Sequence, residues 1–136
     1  MFEASMKYRV PYADTDQMGV VYYANYLTYF ERVRNEFFRD LEFTYSRLES
    51  EGIMLPVVEA HCDYKNPAFY DDELRFTVKV DTIKGCRIKM VNEVYNQDGK
   101  IICKGYTVHC FMCKTKRKPV SAPESFLKAM TEKGIL

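Results

Sequence analysis

The sequence predicts an α+β protein in which one long amphipathic helix packs against an antiparallel β-sheet. Residues 23–40 carry apolar side chains at helical spacing, and residues 73–95 contain two runs of alternating apolar and polar side chains. A helix and a sheet that each have one apolar face bury both faces by packing together. The chain has 136 residues and no visible linker or repeat, so residues 1–136 are expected to form a single domain.

The first half of the chain is expected to form a strand, the long helix and a short helix. Residues 6–12 are typical of a strand that ends near a proline, and the long helix occupies residues 23–40. Its apolar face consists of Tyr26, Tyr29, Phe30, Val33, Phe37 and Leu41. Its polar face holds Arg32, Asn35, Glu36 and Arg39. Residues 44–51 predict a second helix, with Thr44 as its N-cap and Gly52 as its stop signal.

Strands predominate in the second half of the chain. Four are expected, at residues 53–65, 73–82, 86–95 and 100–113. Lys84-Gly85 and residues 96–99 mark the turns between the last three strands, and a basic turn follows at residues 114–118. Residues 123–132 predict a C-terminal helix that opens at Pro123, because proline is favoured in the first helical turn.

Composition excludes several classes of protein. A net charge of +1 argues against a nucleic-acid binder held by charge, and no apolar run reaches the length of about 18 residues that a transmembrane helix needs. Residues 1–10 lack the basic and apolar segments of a secretory signal. The five cysteines have no disulfide-framework spacing, which indicates reduced thiols and a cytoplasmic location. A chain this short buries only part of its apolar surface alone, which is consistent with an oligomer.

A carboxylate cluster lies between the first strand and the long helix. Asp14 and Asp16 follow the strand, and Gly19 sits in a turn before the helix. The free N–H groups of a helix start can polarise a carbonyl, and a nearby carboxylate can attack that carbonyl or activate water against it. Aspartate is also common as a turn or cap residue before a helix, so local chemistry alone divides evenly between a catalytic and a structural role.

This segment resembles the opening signature of the hotdog-fold acyl-CoA thioesterases of the 4-hydroxybenzoyl-CoA thioesterase and YbgC-like type. The matching residues are Tyr12, Asp14, Thr15, Asp16, Gly19, Val20, Val21, Tyr22, Tyr23, Asn25, Tyr26 and Glu31. A weaker resemblance, which includes the segment PAFYDDEL at residues 67–74, continues to about Pro123. It implies the hotdog fold, in which a curved antiparallel sheet wraps around a long central helix.

The resemblance also assigns roles in the opening segment. It implies that Asp16 is the catalytic carboxylate and that Asp14 is a structural acid that shapes the turn. It further implies that the backbone N–H of Tyr23 binds the thioester carbonyl, with the helix dipole behind it. Gly19 allows the tight turn that presents this N–H. For Asn25, capping of the helix is favoured over a hydrogen bond across the site.

The expected substrate-binding residues are Gly19, Val20, Val21, Tyr22, Asn25, Glu31, Leu55, Val57 and His61. Glu31 is either a carboxylate near the acyl pocket or half of an ion pair with Arg32 or Arg34. The acyl pocket should be lined by Met54, Leu55, Val57, Tyr29 and their neighbours. His61 is the better functional candidate of the two histidines because its strand should border the pocket, although a lone histidine on a strand is usually structural.

Two groups of cationic residues are candidates for binding the phosphates of coenzyme A. The resemblance favours Lys84, Arg87 and Lys89, near the turn between the second and third predicted strands. The rival set is the basic turn formed by Lys114, Lys116, Arg117 and Lys118, which is otherwise a solvated loop. Neither set is a recognised phosphate-binding motif.

No metal or redox site is expected. His109, Cys110 and Cys113 form the closest approach to a metal motif, but strand residues three apart face opposite sides, so the two thiols should diverge. Coenzyme A is expected only as part of the substrate, and no separate cofactor is implied.

The sequence thus predicts a thioester hydrolase that cleaves a short-chain aliphatic or aromatic acyl-CoA. Asp16 acts either as nucleophile or as general base, and the sequence leaves both open. The resemblance implies a homodimer whose sheets join edge to edge, often paired into a homotetramer. An acyl carrier protein as the thioester carrier and a non-catalytic acyl-CoA-binding or regulatory module remain alternatives. A dehydratase of the same fold is disfavoured because the predicted long helix contains no histidine.

Overall fold

The computed structural model describes residues 3–135 and places five antiparallel strands in one sheet around a long helix. The strands are β1 (Ala4–Arg9), β2 (Ile53–Met54), β3 (Val57–Tyr64), β4 (Glu73–Lys84), β5 (Arg87–Tyr95), β6 (Ile101–Cys110) and β7 (Met112–Cys113). The helices are α1 (Asn25–Asp40), α2 (Tyr45–Ser50) and α3 (Glu124–Glu132). The order across the large sheet is β1-β4-β5-β6-β3, and β2 pairs separately with β7. This α+β architecture confirms the predicted fold class.

Helix α1 packs on the face of the sheet that alternation predicts to be apolar. In β4 the side chains of Leu74, Phe76, Val78 and Val80 are buried, as expected. All six predicted apolar side chains of the helix segment are also buried. Register shifts interrupt the β3–β6, β4–β5 and β5–β6 pairings. Irregularities of this kind bend strands, which lets the sheet curve around the helix.

One close approach fixes how α1 sits over β6. A Cβ atom added at Gly105 would lie 2.6 Å from Cε2 of Phe30 and would also collide with the carbonyl oxygen of His61. Glycine is therefore the residue that fits between the helix and the edge strand at this point.

Two predicted element boundaries are corrected before α1. The first strand ends at Arg9 rather than at residue 12, because Pro11 cannot continue the ladder and Tyr12–Asp14 form a 3-10 turn. The long helix begins at Asn25, two residues later than expected, because Tyr23 and Ala24 form a turn before it.

Two predicted strands are each broken into a long and a short strand. The segment 53–65 is interrupted at Leu55-Pro56 and becomes β2 and β3. The segment 100–113 is interrupted at Phe111, whose N–H bonds to the carbonyl of Cys86 at the β4–β5 turn. The two breaks coincide because β2 and β7 pair with each other, outside the large sheet.

The predicted caps and stops are confirmed. The hydroxyl of Thr44 accepts a hydrogen bond from the N–H of Arg47 at the start of α2, and Gly52 follows that helix with φ +74°. Pro123 directly precedes α3. Among residues 3–135, no helix combines the length and the apolar character needed to cross a membrane.

Strand β3 forms an exposed edge of the large sheet. It is eight residues long and pairs on one side with β6. Val57 and Val58 are 49% and 47% exposed, although valine is usually buried in a sheet. An open edge that carries apolar side chains is a surface suited to pairing with another strand.

Candidate active site

Asp14 fastens the predicted catalytic segment to the core. Its Oδ2 accepts hydrogen bonds from the hydroxyls of Tyr8 and Tyr29, each at 2.7 Å. Its carbonyl oxygen accepts from the N–H of Tyr22 and from the side-chain amide of Asn25, both at 2.9 Å. Burial, together with the bond to Asp14, raises the pKa of Tyr8 to about 12. Asp14 therefore joins β1 to α1 and acts structurally, as predicted.

The same contacts correct the prediction for Asn25. Its side chain reaches back to the carbonyl of Asp14 instead of capping a helix N–H. The N-cap position of α1 is occupied by Ala24, which has no side-chain cap. Asn25 thus ties the helix start to the loop that precedes it.

Asp16 lies at the tip of a tight hairpin. The N–H of Asp16 bonds to the carbonyl of Val20 at 2.9 Å, and the N–H of Gly19 bonds back to the carbonyl of Asp16 at 3.0 Å. Gly19 has φ +80°, which favours glycine. One carboxylate oxygen of Asp16, Oδ1, accepts the N–H of Met18 at 2.8 Å. The other oxygen, Oδ2, has no partner among the residues that the structure describes.

A neighbouring segment holds this hairpin in place. Val21 donates its N–H to the carbonyl of Ala68 at 2.8 Å, and Val20 forms a bridge with Phe69. The segment PAFYDDEL, which the sequence resemblance includes, therefore supports the hairpin that carries Asp16.

The backbone N–H of Tyr23 is available at the start of the helix. Within residues 3–135 no acceptor is paired with it, whereas the N–H groups of Tyr22 and Asn25 are both bonded. Tyr23 precedes the first helical residue by two positions, so its N–H lies at the positive end of the α1 dipole. A free N–H in this position can bind an oxygen that is gaining negative charge.

Asp16 and Tyr23 line one cleft of about 310 Å³. Its walls are Asp16, Met18, Val20, Val21, Tyr23, Tyr26, Tyr64, Lys65, Asn66 and Pro67. The structure thus brings together Asp16, Val20, Val21 and Tyr23 from the predicted set, with Gly19 in the same hairpin. Tyr22 is exposed beside this group, with its ring 4.8 Å from that of Tyr23.

Sequence reasoning missed Tyr64 and Lys65 as lining residues. The hydroxyl of Tyr64 donates to the carbonyl of Tyr23 at 3.2 Å, which links the end of β3 to the start of α1. Lys65 supplies the one lysine or arginine side chain among the residues that line this cleft. The only indication in the sequence was their position, because both residues stand at the end of the predicted strand 53–65.

The thiol of Cys62 lies next to Tyr64. The thiol of Cys103 hydrogen-bonds to Cys62, and this bond lowers the pKa of Cys62 to about 7 against the opposing effect of burial. The hydroxyl of Tyr64 contributes in the same direction. The pKa of Tyr64 is itself raised to about 12, first by burial and then by Cys62.

Three predicted substrate residues do not meet Asp16 within one chain. Leu55 lines a separate cleft of about 310 Å³. The walls of that cleft are Tyr45, Leu48, Glu49, Ile53, Met54, Leu55 and Lys114. Val57 is exposed on the edge strand, and His61 stacks on Tyr106 on the sheet face opposite α1. Side chains alternate between the two faces along β3. His61 is three residues from Tyr64, so it lies on the face opposite to the one that reaches the Asp16 cleft.

Glu31 and Tyr29 are also separated from the Asp16 cleft. Glu31 is exposed on α1, and it forms no ion pair with Arg32 or Arg34. Tyr29 is buried, where its ring stacks on Phe76 with centroids 4.6 Å apart. The sequence expectation that Tyr29 lines the acyl pocket is not met within one chain, because packing against the sheet covers its ring.

The cation candidates for coenzyme A lie on hairpins away from the Asp16 cleft. Lys84 and Arg87 face each other across the β4–β5 turn, and Lys89 packs over the ring of Tyr106 at 4.2 Å. In the basic turn, Lys114 forms an ion pair with Glu49 at 2.7 Å.

Cys110 and Cys113 lie on two different strands and contact different groups. Cys110 is buried and its thiol donates to the carbonyl of Phe111, whereas Cys113 is half-buried and contacts the hydroxyl of Thr115. All five cysteines are free thiols.

Comparison with known proteins agrees with this geometry. The family described as the thioesterase-like superfamily matches residues 10–130. The acyl-CoA thioesterase YbgC of Haemophilus influenzae is 36% identical over 121 residues, which cover 88% of each chain. The acyl-CoA thioester hydrolase YbgC of Escherichia coli O6:H1 is 29% identical over 119 residues, which cover 88% of this chain and 89% of that protein.

Solved structures support the same assignment. The DHNA-CoA thioesterase of Staphylococcus aureus superposes with a TM-score of 0.86 at 27% identity, covering 100% of this chain and 97% of that one. The sequence match spans both the Asp16 hairpin and the sheet, so it extends beyond a single motif. The chain therefore belongs to the thioesterase-like superfamily and is a thioester hydrolase of the hotdog fold.

Proposed function

We propose that this protein is an acyl-CoA thioesterase that converts a short-chain aliphatic or aromatic acyl-CoA and water into a carboxylic acid and free coenzyme A. The observation that carries the proposal is the shared cleft of Asp16 and Tyr23, where a carboxylate with one free oxygen accompanies an unpaired N–H at a helix start. Residues 1–136 would act as one domain, and no cofactor beyond the coenzyme A of the substrate is required.

The reaction follows from the charge that develops on the thioester oxygen. The N–H of Tyr23 donates to this oxygen, and the α1 dipole stabilises its negative charge as the tetrahedral centre forms. Asp16 either attacks the carbonyl carbon and expels the coenzyme A thiolate, leaving a mixed anhydride that water hydrolyses, or it removes a proton from the attacking water. In both routes the oxygen and one proton of water end in the carboxylic acid, the other proton passes to the coenzyme A thiolate, and Asp16 returns to its carboxylate form.

We further propose that the working unit is a dimer joined through β3. The exposed edge of β3, with Val57 and Val58 half-exposed, would pair antiparallel with the same edge of a second copy. Tyr64 contacts Tyr23 at one end of this strand, and Leu55 precedes its other end. Antiparallel pairing would therefore place the Leu55 cleft of one copy beside the Asp16 cleft of the other.

This arrangement gives the predicted substrate residues a common location. Leu55 and Val57 would approach the acyl group from the second copy, as would Met54. Lys84, Arg87 and Lys89 stay candidates for the coenzyme A phosphates, and Lys65 joins them because it lines the Asp16 cleft. Pairing of two dimers would give the homotetramer, and the cytoplasm is the expected location.

The experiment is the release of free thiol from a panel of aliphatic and aromatic acyl-CoAs by wild type and Asp16→Asn. We expect turnover by the wild type and a loss of at least about 1,000-fold in kcat for Asp16→Asn, with coenzyme A binding retained. Asp98→Asn, in the exposed hairpin loop after β5, is the matched control and should behave as wild type.

The outcomes separate the alternatives. Turnover that is unaffected by Asp16→Asn would refute the mechanism. Binding of acyl-CoA without turnover on any substrate would favour the binding-module alternative. Running the panel with the same acyl groups on an acyl carrier protein identifies the carrier, because the preferred carrier gives the higher kcat/KM.

A further inference from the structure

Arg34 is a buried cation in the middle of α1. Its exposed fraction is 6%, and among residues 3–135 it forms no salt bridge. Burying a guanidinium away from any carboxylate costs several kcal/mol unless something compensates the charge. An arginine at this depth therefore needs an explanation beyond packing.

The partners of Arg34 are all neutral. Its Nε donates to the hydroxyl of Tyr45 at 3.1 Å, and its Nη1 lies 3.5 Å from Oγ1 of Thr107. Thr107 in turn contacts Nε2 of His109 at 2.8 Å, and Nδ1 of His109 lies 3.4 Å from the carbonyl oxygen of Leu55. This series of hydrogen bonds ends at the carbonyl oxygen of Leu55, so it contains no negatively charged group.

His109 remains uncharged beside Arg34. Burial, followed by the charge of Arg34, lowers the pKa of His109 to about 4. A neutral imidazole can donate through Nδ1 to Leu55 and accept through Nε2 from Thr107, which satisfies both groups. The positive charge of Arg34 is thus neither shared nor neutralised at neutral pH.

Tyr45 and Leu55 connect this buried charge to a cleft. Tyr45 and Leu55 line the cleft of about 310 Å³, whose other apolar residues include Ile53 and Met54. The oxygen of Tyr45 accepts from Arg34, and its O–H has no acceptor among residues 3–135, so it is available to donate to a ligand. The cleft therefore combines apolar residues with the Tyr45 hydroxyl, which is bonded to a buried cation, and with Lys114, whose charge is paired with that of Glu49 at 2.7 Å.

We infer that this cleft binds the terminal carboxylate of an acyl group, with the Tyr45 hydroxyl as donor and Arg34 as the compensating charge. The preferred substrate would then be an acyl-CoA whose acyl chain ends in a carboxylate. A single negative charge matches the single uncompensated cation, and the methylene groups of such a chain match the apolar walls.

The inference rests on the proposed thioesterase function and on the dimer. In antiparallel pairing of β3, the Tyr45 cleft of one copy adjoins the Asp16 cleft of the other. The acyl chain would then have its thioester in the Asp16 cleft of one copy and its terminal carboxylate in the Tyr45 cleft of the other. Arg34 acts through Tyr45 in this arrangement and is a positioning residue.

The experiment compares two acyl-CoAs of equal length, hexanoyl-CoA and 5-carboxypentanoyl-CoA, by free-thiol release. We expect wild type to favour the carboxylated substrate in kcat/KM by about 10- to 100-fold. Tyr45→Phe should lower this ratio about 10-fold, mainly through KM for the carboxylated substrate. Tyr95→Phe, which removes a tyrosine hydroxyl bonded to Glu93 within β5 and away from the cleft, is the matched control and should keep the ratio.

Arg34→Met is the second variant, and circular dichroism establishes that each variant is folded. A folded Arg34→Met protein should lose the carboxylate preference at least as fully as Tyr45→Phe. Wild type without any preference, or a preference that survives Tyr45→Phe, would overturn the inference. A preference lost in Lys114→Ala but kept in Tyr45→Phe would assign it to the exposed lysine of the cleft instead.

The failures of the two proposals can be told apart. If wild type hydrolyses hexanoyl-CoA in an Asp16-dependent manner but shows no carboxylate preference, the thioesterase proposal stands and the inference fails. If no acyl-CoA of the panel is hydrolysed, the proposed function fails, and binding of 5-carboxypentanoate measured by calorimetry still tests the cleft. Weaker binding by Tyr45→Phe would support the cleft, and equal binding would refute it.

Discussion

Two aspartates that lie two residues apart meet different environments. Asp14 receives two tyrosine hydroxyls on one carboxylate oxygen, whereas Asp16 receives one backbone N–H and keeps its other oxygen free. The local sequence could not predict this difference, because the two tyrosines that donate hydrogen bonds to Asp14 lie in β1 and α1. The family resemblance supplied the distinction, and the contacts give its physical basis.

This difference predicts opposite effects of the same substitution. Asp14→Asn should lower the free energy of unfolding by about 2–4 kcal/mol, because two tyrosine hydrogen bonds to a half-buried carboxylate are weakened. Asp16→Asn should change it by less than about 0.5 kcal/mol, because the amide oxygen still accepts the N–H of Met18. Urea unfolding at pH 7 measures both variants. Equal stability of the two would contradict the assignment of Asp14 as the structural acid.

Other residues of the site were beyond sequence analysis for a different reason. The sequence offered Arg34 only as a possible ion-pair partner of Glu31, yet Arg34 is buried against β6. A helical pattern indicates which face is apolar on average, but it cannot identify a polar side chain that tertiary contacts draw inward. Lys65 was missed because its importance depends on where β3 ends.

At the level of elements, long periodic segments were predicted well and their interruptions were not. Helix α1 and strands β4 and β5 follow uninterrupted patterns, and their predicted buried positions are confirmed. The breaks at Leu55-Pro56 and Phe111 depend on β2 pairing with β7, which are far apart in the chain. Pairing between distant short strands leaves no local signal in composition or periodicity.

The contact between α1 and β6 predicts a pH-dependent stability. The pKa of His109 is lowered from 6.5 to about 4 in the folded protein by burial and by Arg34. The unfolded chain therefore binds more protons than the folded one between these values, so stability falls as pH drops below about 6.5. From pH 7 to pH 5 the contribution of His109 should fall by about 2 kcal/mol.

Urea unfolding of wild type and His109→Gln at pH 7 and pH 5 isolates this contribution, because other groups titrate equally in both proteins. Wild type should lose about 2 kcal/mol more than the variant between the two pH values. An equal loss in both proteins would mean that His109 is protonated in the folded state.

At the scale of the whole molecule, the site that the sequence predicts is divided between two places in one chain. Asp16 and Tyr23 lie at one end of β3, and Leu55 precedes the other end. A sequence resemblance assigns residues to a site without stating which copy supplies them. Antiparallel pairing of two β3 edges places the start of one strand beside the end of the other. The Leu55 end of one copy would then lie beside the Asp16 end of its partner.

A complementation experiment tests this arrangement. Asp16→Asn removes the reacting carboxylate, and Leu55→Trp fills the cleft that the acyl group would enter, so each homodimer should be inactive. If each site combines Asp16 of one copy with Leu55 of the other, a mixed dimer contains one site in which both residues are native. Co-refolding equal amounts should then restore about one quarter of wild-type activity, because half of the dimers are mixed and one site in each is intact.

The control is Asp16→Asn mixed with the double variant Asp16→Asn/Leu55→Trp, which contains no native Asp16 and should stay inactive. Light scattering on each mixture establishes that dimers have formed, so that inactivity cannot be attributed to monomers. If the Asp16→Asn and Leu55→Trp mixture forms dimers but recovers no activity, each site is contained within one copy. The carboxylate of the acyl chain could then not reach Tyr45 across β3, and both the shared site and the proposed chain path would be wrong.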